Sequence, residues 1–139
     1  MKVIPYLFFT GNAEEVLNFY KEAFDGEILM VSRYADSPMP VPEEQKQKIM
    51  HARLSFAGNT IMISDSYKDG GKAPGGNITL SVEVPDKPQL EKVFSKMAAG
   101  GKITMPLQDQ FWGATFGMLD DKFGVSWMFN HEHAAAAKP

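Results

Sequence analysis

His51 and Arg53 stand two residues apart in MHARLSF, a run in which apolar and polar residues alternate. Period-two alternation puts them on one face of a strand. An arginine there would hold an anion by charge-assisted hydrogen bonds, and a histidine beside it would serve as a base near neutral pH. The same pair would equally suit a solvated sheet face or a contact to a second chain, and the residue types leave both readings open. Gln108, Asp109, Gln110, Phe111 and Trp112 cluster ahead of Gly113, and Trp112 fits either a pocket wall or a core plug. Asp65 and Ser66 end a strand where a turn is expected. His131 and His133 fall in HEHAAAAKP, which offers no core residue, so residues 131–139 are expected to form a disordered tail.

Other chemistries are excluded by what the chain lacks. It has no cysteine, which removes disulfides, thiolate zinc sites and cysteine nucleophiles. The glycine-rich stretch SYKDGGKAPGGN has no Gly-Lys-Ser/Thr ending and no helix pattern after it, so it is read as a linker over 66–76 rather than a phosphate loop. The net charge is −3 with scattered Lys and Arg, which predicts no nucleic-acid partner. No apolar run is long enough to span a membrane, and the short run in MKVIPYLFFTG reads as a strand rather than a signal peptide, which makes cytoplasm the expected location.

The elements that must position these residues follow from periodicity. At 139 residues and 44% hydrophobic, the chain suits one globular domain, here 1–130. Residues 3–9 read as a strand. Asn12 with Glu15 forms a capping-box pattern, Val16, Phe19, Tyr20, Ala23 and Phe24 recur at helical spacing, and Gly26 offers the stop. Residues 27–34, 49–57 and 60–65 read as strands, the last two joined at Gly58-Asn59. Between them ADSPMPVPEEQKQK, residues 35–48, is expected to be an extended or mobile arm because its prolines support neither helix nor central strand. The second half repeats this order. It has a strand over 77–84, an Asp86–Gln89 cap, a stripe of Leu90, Val93, Phe94 and Met97, and strands near 102–108, 114–120 and 124–130.

The order β-α-β-β-β thus occurs twice, over about 1–66 and 76–130, and implies internal duplication and an α+β fold. One helix covers only one face of each sheet. The other faces must curl into a concave wall with the helices outside. Alternation assigns Ile78, Leu80, Val82 and Val84 to the core. It aims His51, Arg53, Asn77, Thr79, Ser81 and Met128 at the concavity, with Met62 and Ser64 matched to the last strand by the repeat. A wall mixing apolar surface with a few polar groups is the usual form of a small-molecule site.

The duplicated halves resemble the glyoxalase, bleomycin-resistance and extradiol-dioxygenase proteins, the vicinal oxygen chelate superfamily. The segments IPYLFFTGNAEEVLNFYKEAFDGEI, MHARLSFAGNTIMISDS and MPLQDQFWGATFGMLDDKFGVSW are similar to its PhnB-type branch. The resemblance implies four metal-ligand positions, which fall on Pro5, Met62, Asn77 and Met128. Proline offers no side-chain ligand and methionine is poor for a hard ion, so no metal and no other cofactor is expected. Two function classes remain. One is a metal-independent enzyme acting on a small polar or anionic metabolite. The other is a non-catalytic binder that sequesters a small molecule, as bleomycin-resistance proteins do. No nucleophile–base pair is evident, so no catalytic residue is assigned. A methyltransferase is rejected, because the chain lacks a doubly wound nucleotide site. Relatives that pair their halves across chains, together with surplus apolar groups at Tyr6, Phe8, Met39, Val41, Phe111 and Trp112, imply a homodimer.

Overall fold

The computed structural model describes residues 2–65 and 78–133. Contacts divide the chain into two compact units, Met1–Ala73 and Pro74–Pro139. Each carries one copy of the expected strand-helix-strand-strand-strand order, and the division falls inside the stretch read as a linker.

The first unit contains β1 (Tyr6–Phe9), α1 (Ala13–Phe24), β2 (Glu27–Arg33), β3 (Ile49–Phe56) and β4 (Asn59–Asp65). Its sheet runs β1-β4-β3-β2, with β1 parallel to β4 and the other pairs antiparallel. The helical stripe buries Ala13, Val16, Leu17, Tyr20 and Ala23 against Ala52, Leu54, Ile61 and Ile63, which are nearly inaccessible to solvent. The expected Asn12 cap is not made. Asp65, at the far end of β4, instead accepts from the backbone N–H groups of Gly11 at 2.8 Å and Ala13 at 2.9 Å on one oxygen, and from Ile49 at 3.0 Å on the other. A charged acceptor brought in by the sheet wins over a local amide at the positive end of the helix. The left-handed stop of α1 is Asp25 rather than Gly26. Gly26 is required by crowding, since a Cβ there would lie 2.8 Å from the Ser55 carbonyl oxygen.

The β3–β4 hairpin closes on Ala57-Gly58, one residue before the Gly58-Asn59 expected from sequence. Both residues have positive φ, 50° and 80°, the signature of a two-residue primed turn. The Asn59 side chain donates to the Phe56 and Ala57 carbonyls, so its amide supports the turn from outside. Ala57 bears the Cβ penalty of the left-handed region. Ala57→Asn should therefore stabilise the protein by about 0.5–1 kcal/mol in denaturant unfolding. Unchanged or lower stability would show that Ala57 is not strained.

The second unit contains β5 (Leu80–Glu83), α2 (Lys87–Ala98), β6 (Lys102–Gln110), β7 (Ala114–Asp120) and β8 (Ser126–Glu132), in the sheet order β5-β8-β7-β6 with β5 parallel to β8. Asp86 caps α2 as expected, accepting from Gln89 N–H at 3.0 Å. Leu90, Val93, Phe94 and Met97 are buried, as are Trp127 and Phe129. Ile78 is not core. It lies ahead of β5 and is 73% exposed, because the strand begins at Leu80 rather than at residue 77. The strand read as ending at residue 130 continues through Glu132, so His131–His133 do not belong to a tail. His133 N–H bonds the Gly113 carbonyl, and its ring bonds Thr115. Residues 134–139 and the 66–76 linker lie outside the described residues.

Candidate functional site

In the first unit α1 covers one face of the sheet. Alternation places Tyr6 and Phe8 of β1, Met62 and Ser64 of β4, His51 and Arg53 of β3, and Met30 of β2 on the other. The register aligns Tyr6, Met62, Arg53 and Met30 in one row across four strands. The Tyr6 hydroxyl lies 2.7 Å from His51 Nδ1, and the two rings meet edge to face at 5.4 Å. Phe8 stacks on Tyr6 with centroids 4.6 Å apart and planes within 16°. Arg53 is exposed and donates through Nη2 to the Met62 sulfur at 3.8 Å, with no carboxylate partner among the described residues. A thioether is a weak acceptor, so most of the guanidinium's donor capacity faces outward.

Of the residues expected to bind ligand, His51, Arg53 and Met62 thus come together. Ser64 lies on the same face but is 5% exposed, and its hydroxyl donates to the Met50 carbonyl at 2.7 Å, which occupies its proton. Tyr6 and Phe8 are not among the site residues expected from sequence, where they read as surplus apolar groups. Their i, i+2 spacing puts both on one face of β1, but that spacing does not encode the reach of the Tyr6 ring to His51.

In the second unit, Ser81, Met128, Met118 and Met105 form the matching row. Glu83 accepts from the Asn130 amide at 3.2 Å, and Ser126 donates to Asp120 at 2.7 Å on the same face. Thr79 is exposed just ahead of β5, and Asn77 lies outside the described residues. Trp112 is 54% exposed and edges onto Phe116 at 6.3 Å, so it does not plug the core. A shallow depression lined by Glu83, Val84, Pro85, His131 and Glu132 contains none of the expected site residues.

Two further polar clusters are structural. Thr115 donates to Asp109 at 2.7 Å and sits 2.8 Å from His133 Nε2. A hydroxyl has one proton. With that proton on the carboxylate, His133 must donate to the Thr115 oxygen, so no base activates this hydroxyl. The Thr115 hydrogen bond, with Lys87 nearby, holds the Asp109 carboxyl below the usual carboxylate range. The 35–48 segment is not an extended arm. It is a folded loop with one-turn 3₁₀ helices at Tyr34–Asp36 and Glu43–Gln45, closed by Tyr34 N–H to the Lys48 carbonyl and Ala35 N–H to the Lys46 carbonyl. Its prolines occupy the tip between those helices, which is why they do not prevent closure.

Arg33 anchors this loop by a two-pronged pair with Glu14, at 3.0 and 2.9 Å, and a bond to the Gln47 carbonyl. The arginine hydrogen bond holds the Glu14 carboxyl below its ordinary value. A depressed acid stabilises above its unfolded pKa, and that contribution is lost as pH falls through the folded pKa. Glu14→Gln should cost about 0.2–1 kcal/mol at neutral pH, discounted because the side chain is 57% exposed. The difference from wild type should vanish in acid. A penalty that persists there would assign it to packing instead.

Two βαβββ units, each a mixed four-stranded sheet with one helix, define a glyoxalase-like protein of the vicinal oxygen chelate type. The chain belongs to the family described as 3-demethylubiquinone-9 3-methyltransferase, matched over residues 1–129, the PhnB-type branch of that superfamily. Protein YjdN of Escherichia coli K12 is 32% identical over 140 residues, 94% of this chain and 95% of its own length. The PhnB protein of Bacillus cereus is 35% identical, covering 94% of this chain and 99% of that one, with a TM-score of 0.80. A glyoxylase/bleomycin resistance protein/dioxygenase domain from Frankia sp. EAN1pec shares the fold, at 16% identity, 96% and 93% coverage and a TM-score of 0.69.

Three of the four metal-ligand positions that the resemblance implies, Pro5, Met62 and Met128, carry side chains that do not suit a hard divalent ion, and the fourth, Asn77, lies outside the described residues. The Pro5 carbonyl accepts from Met62 N–H at 2.9 Å, so its oxygen serves the sheet. Met62 turns its sulfur to a guanidinium, whose charge opposes a cation at that point. Met128 offers another thioether. Among the described residues no three His, Asp or Glu side chains converge. In neither sheet are adjacent parallel strands joined by a single helix, the crossover whose glycine turn holds a nucleotide cofactor in doubly wound folds. No helix among the described residues is long and apolar enough to cross a membrane.

Proposed function

We propose that this protein binds a small anionic metabolite on the open face of its first sheet, without a metal, and that His51 is the group available there to move a proton. The observation that carries this reading is the Tyr6–His51 bond at 2.7 Å beside an arginine with no carboxylate partner among the described residues. In the tautomer whose Nδ1–H donates to the Tyr6 oxygen, the imidazole is held in place and Nε2 is left to take a proton. Arg53 supplies the charge that holds an anion, and Met30 and Phe8 supply apolar walls, 41% and 60% exposed.

A second reading, sequestration of a cationic compound, is favoured by Glu83 and Asp120 on the open face of the second sheet. A thermal-shift screen of carboxylates, phosphates, phosphonates, quinones and cationic antibiotics separates the two. A ligand that binds only the folded state raises the melting temperature. The proposal expects anionic hits whose affinity falls tenfold or more in Arg53→Gln. Hits confined to cations, with Arg53→Gln unaffected, would overturn it in favour of sequestration.

A further inference from the structure

We infer that the anion is carried on an aromatic group, so that the ligand class is an aryl or arylacetic carboxylate. This rests on the proposed anion site and names its occupant. The Tyr6 and Phe8 rings form a nearly parallel stack, 37% and 60% exposed, rather than a packed core element. Exposed aromatic surface of this kind gains by offset stacking against a further ring. Tyr6 lies on β1, yet its hydroxyl reaches His51 on β3, so its ring leans across the intervening strand β4. Arg53 approaches β4 from the opposite side, with its guanidinium at the Met62 sulfur. Tyr6 and Arg53 therefore flank Met62 in one row of the sheet, one strand to either side of β4. A ring seated against Tyr6 and Phe8 puts a carboxylate attached directly, or through one methylene, within reach of Arg53. Met62 lies between them, where a thioether makes favourable contacts with an aromatic ring.

Charge selects a carboxylate over a phosphate. Among the described residues Arg53 is the only permanently cationic side chain in this cluster, and the chain as a whole carries −3. A planar guanidinium matches the two oxygens of a carboxylate, whereas a dianion would leave a charge without a partner. His51 then faces the ring side of the ligand, where its free nitrogen can meet a ring hydroxyl.

Four probes of similar size test this by isothermal or NMR titration of the full chain: phenylacetate, cyclohexylacetate, phenylacetamide and phenethylamine. Phenylacetate should bind at least threefold more tightly than cyclohexylacetate and at least tenfold more tightly than phenylacetamide. Phe8→Leu, at a largely exposed position, should erase the first preference and keep the second. Arg53→Gln should erase the second and keep the first. If cyclohexylacetate equals phenylacetate while Arg53→Gln still weakens both, the aromatic assignment is wrong and the anion site stands. If phenethylamine binds more tightly than either carboxylate, both fail.

Discussion

Asp65→Ala should cost about 3–5 kcal/mol, one of the two largest losses expected of any single substitution here. The carboxylate is 1% exposed and accepts three backbone N–H groups, from Gly11, Ala13 and Ile49. Those donors come from the β1–α1 junction and the first residue of β3, so one side chain joins the helix start to two strands. Removing it strands two buried donors, at Ala13 and Ile49, with no water to replace their partner, and a third, part-buried donor at Gly11. The alanine variant approaches the whole stability of an ordinary domain and is at risk of not folding, so Asp65→Asn provides the measurable case. The amide keeps one acceptor oxygen but turns an N–H₂ toward a backbone donor, and should cost about 2–3 kcal/mol in urea unfolding. A loss under about 0.5 kcal/mol in the asparagine variant would show that the three bonds do not hold the unit together.

Trp127→Ala should cost a similar 3–5 kcal/mol, in the second unit. Trp127 is 2% exposed, stacks on Phe129 with centroids 6.2 Å apart, and donates its indole N–H to Asp121 at 3.0 Å. Truncation leaves a cavity under α2 and removes a hydrogen bond to a carboxylate that also accepts from Phe123 and Val125 N–H at the β7–β8 turn. Trp127→Phe separates the two contributions. It retains most of the ring volume and should lose only about 1.5–3 kcal/mol, the worth of a hydrogen bond to a charged acceptor. Equal losses for both variants would assign the effect to the hydrogen bond and leave the cavity argument without support.

Much of this architecture is legible in the sequence because it is written locally. The period-3.6 stripes at Val16–Tyr20 and Leu90–Met97, the period-two strands and the repetition of both need no knowledge of distant partners. What could not be read depends on partners far along the chain. Asn12 has the right type for a cap, but Asp65, more than fifty residues later, takes its place, and only the parallel pairing of β1 with β4 brings it there. The loop over 35–48 closes because Tyr34 and Ala35 meet Lys48 and Lys46, a pairing that a proline-rich composition conceals. The candidate site divides in the same way. Alternation alone places His51 and Arg53 on one face. Tyr6 enters only when its ring is seen to cross a strand, a reach of side-chain length that period-two reasoning does not encode. His131 and His133 read as tail from sequence because the strand's last residues are polar, and polar residues carry no burial signal.

The central claim is a metal-independent anion site on the open face of the first sheet. It is tested most directly by titrating one anionic ligand, phenylacetate or the best hit of the screen, into chelator-treated protein with and without one equivalent of zinc, nickel or manganese. The account predicts the same dissociation constant within twofold in every case, and a tenfold or greater weakening in Arg53→Gln under each condition. A tenfold tightening on adding any of these ions, with Arg53→Gln binding as wild type does, would contradict it.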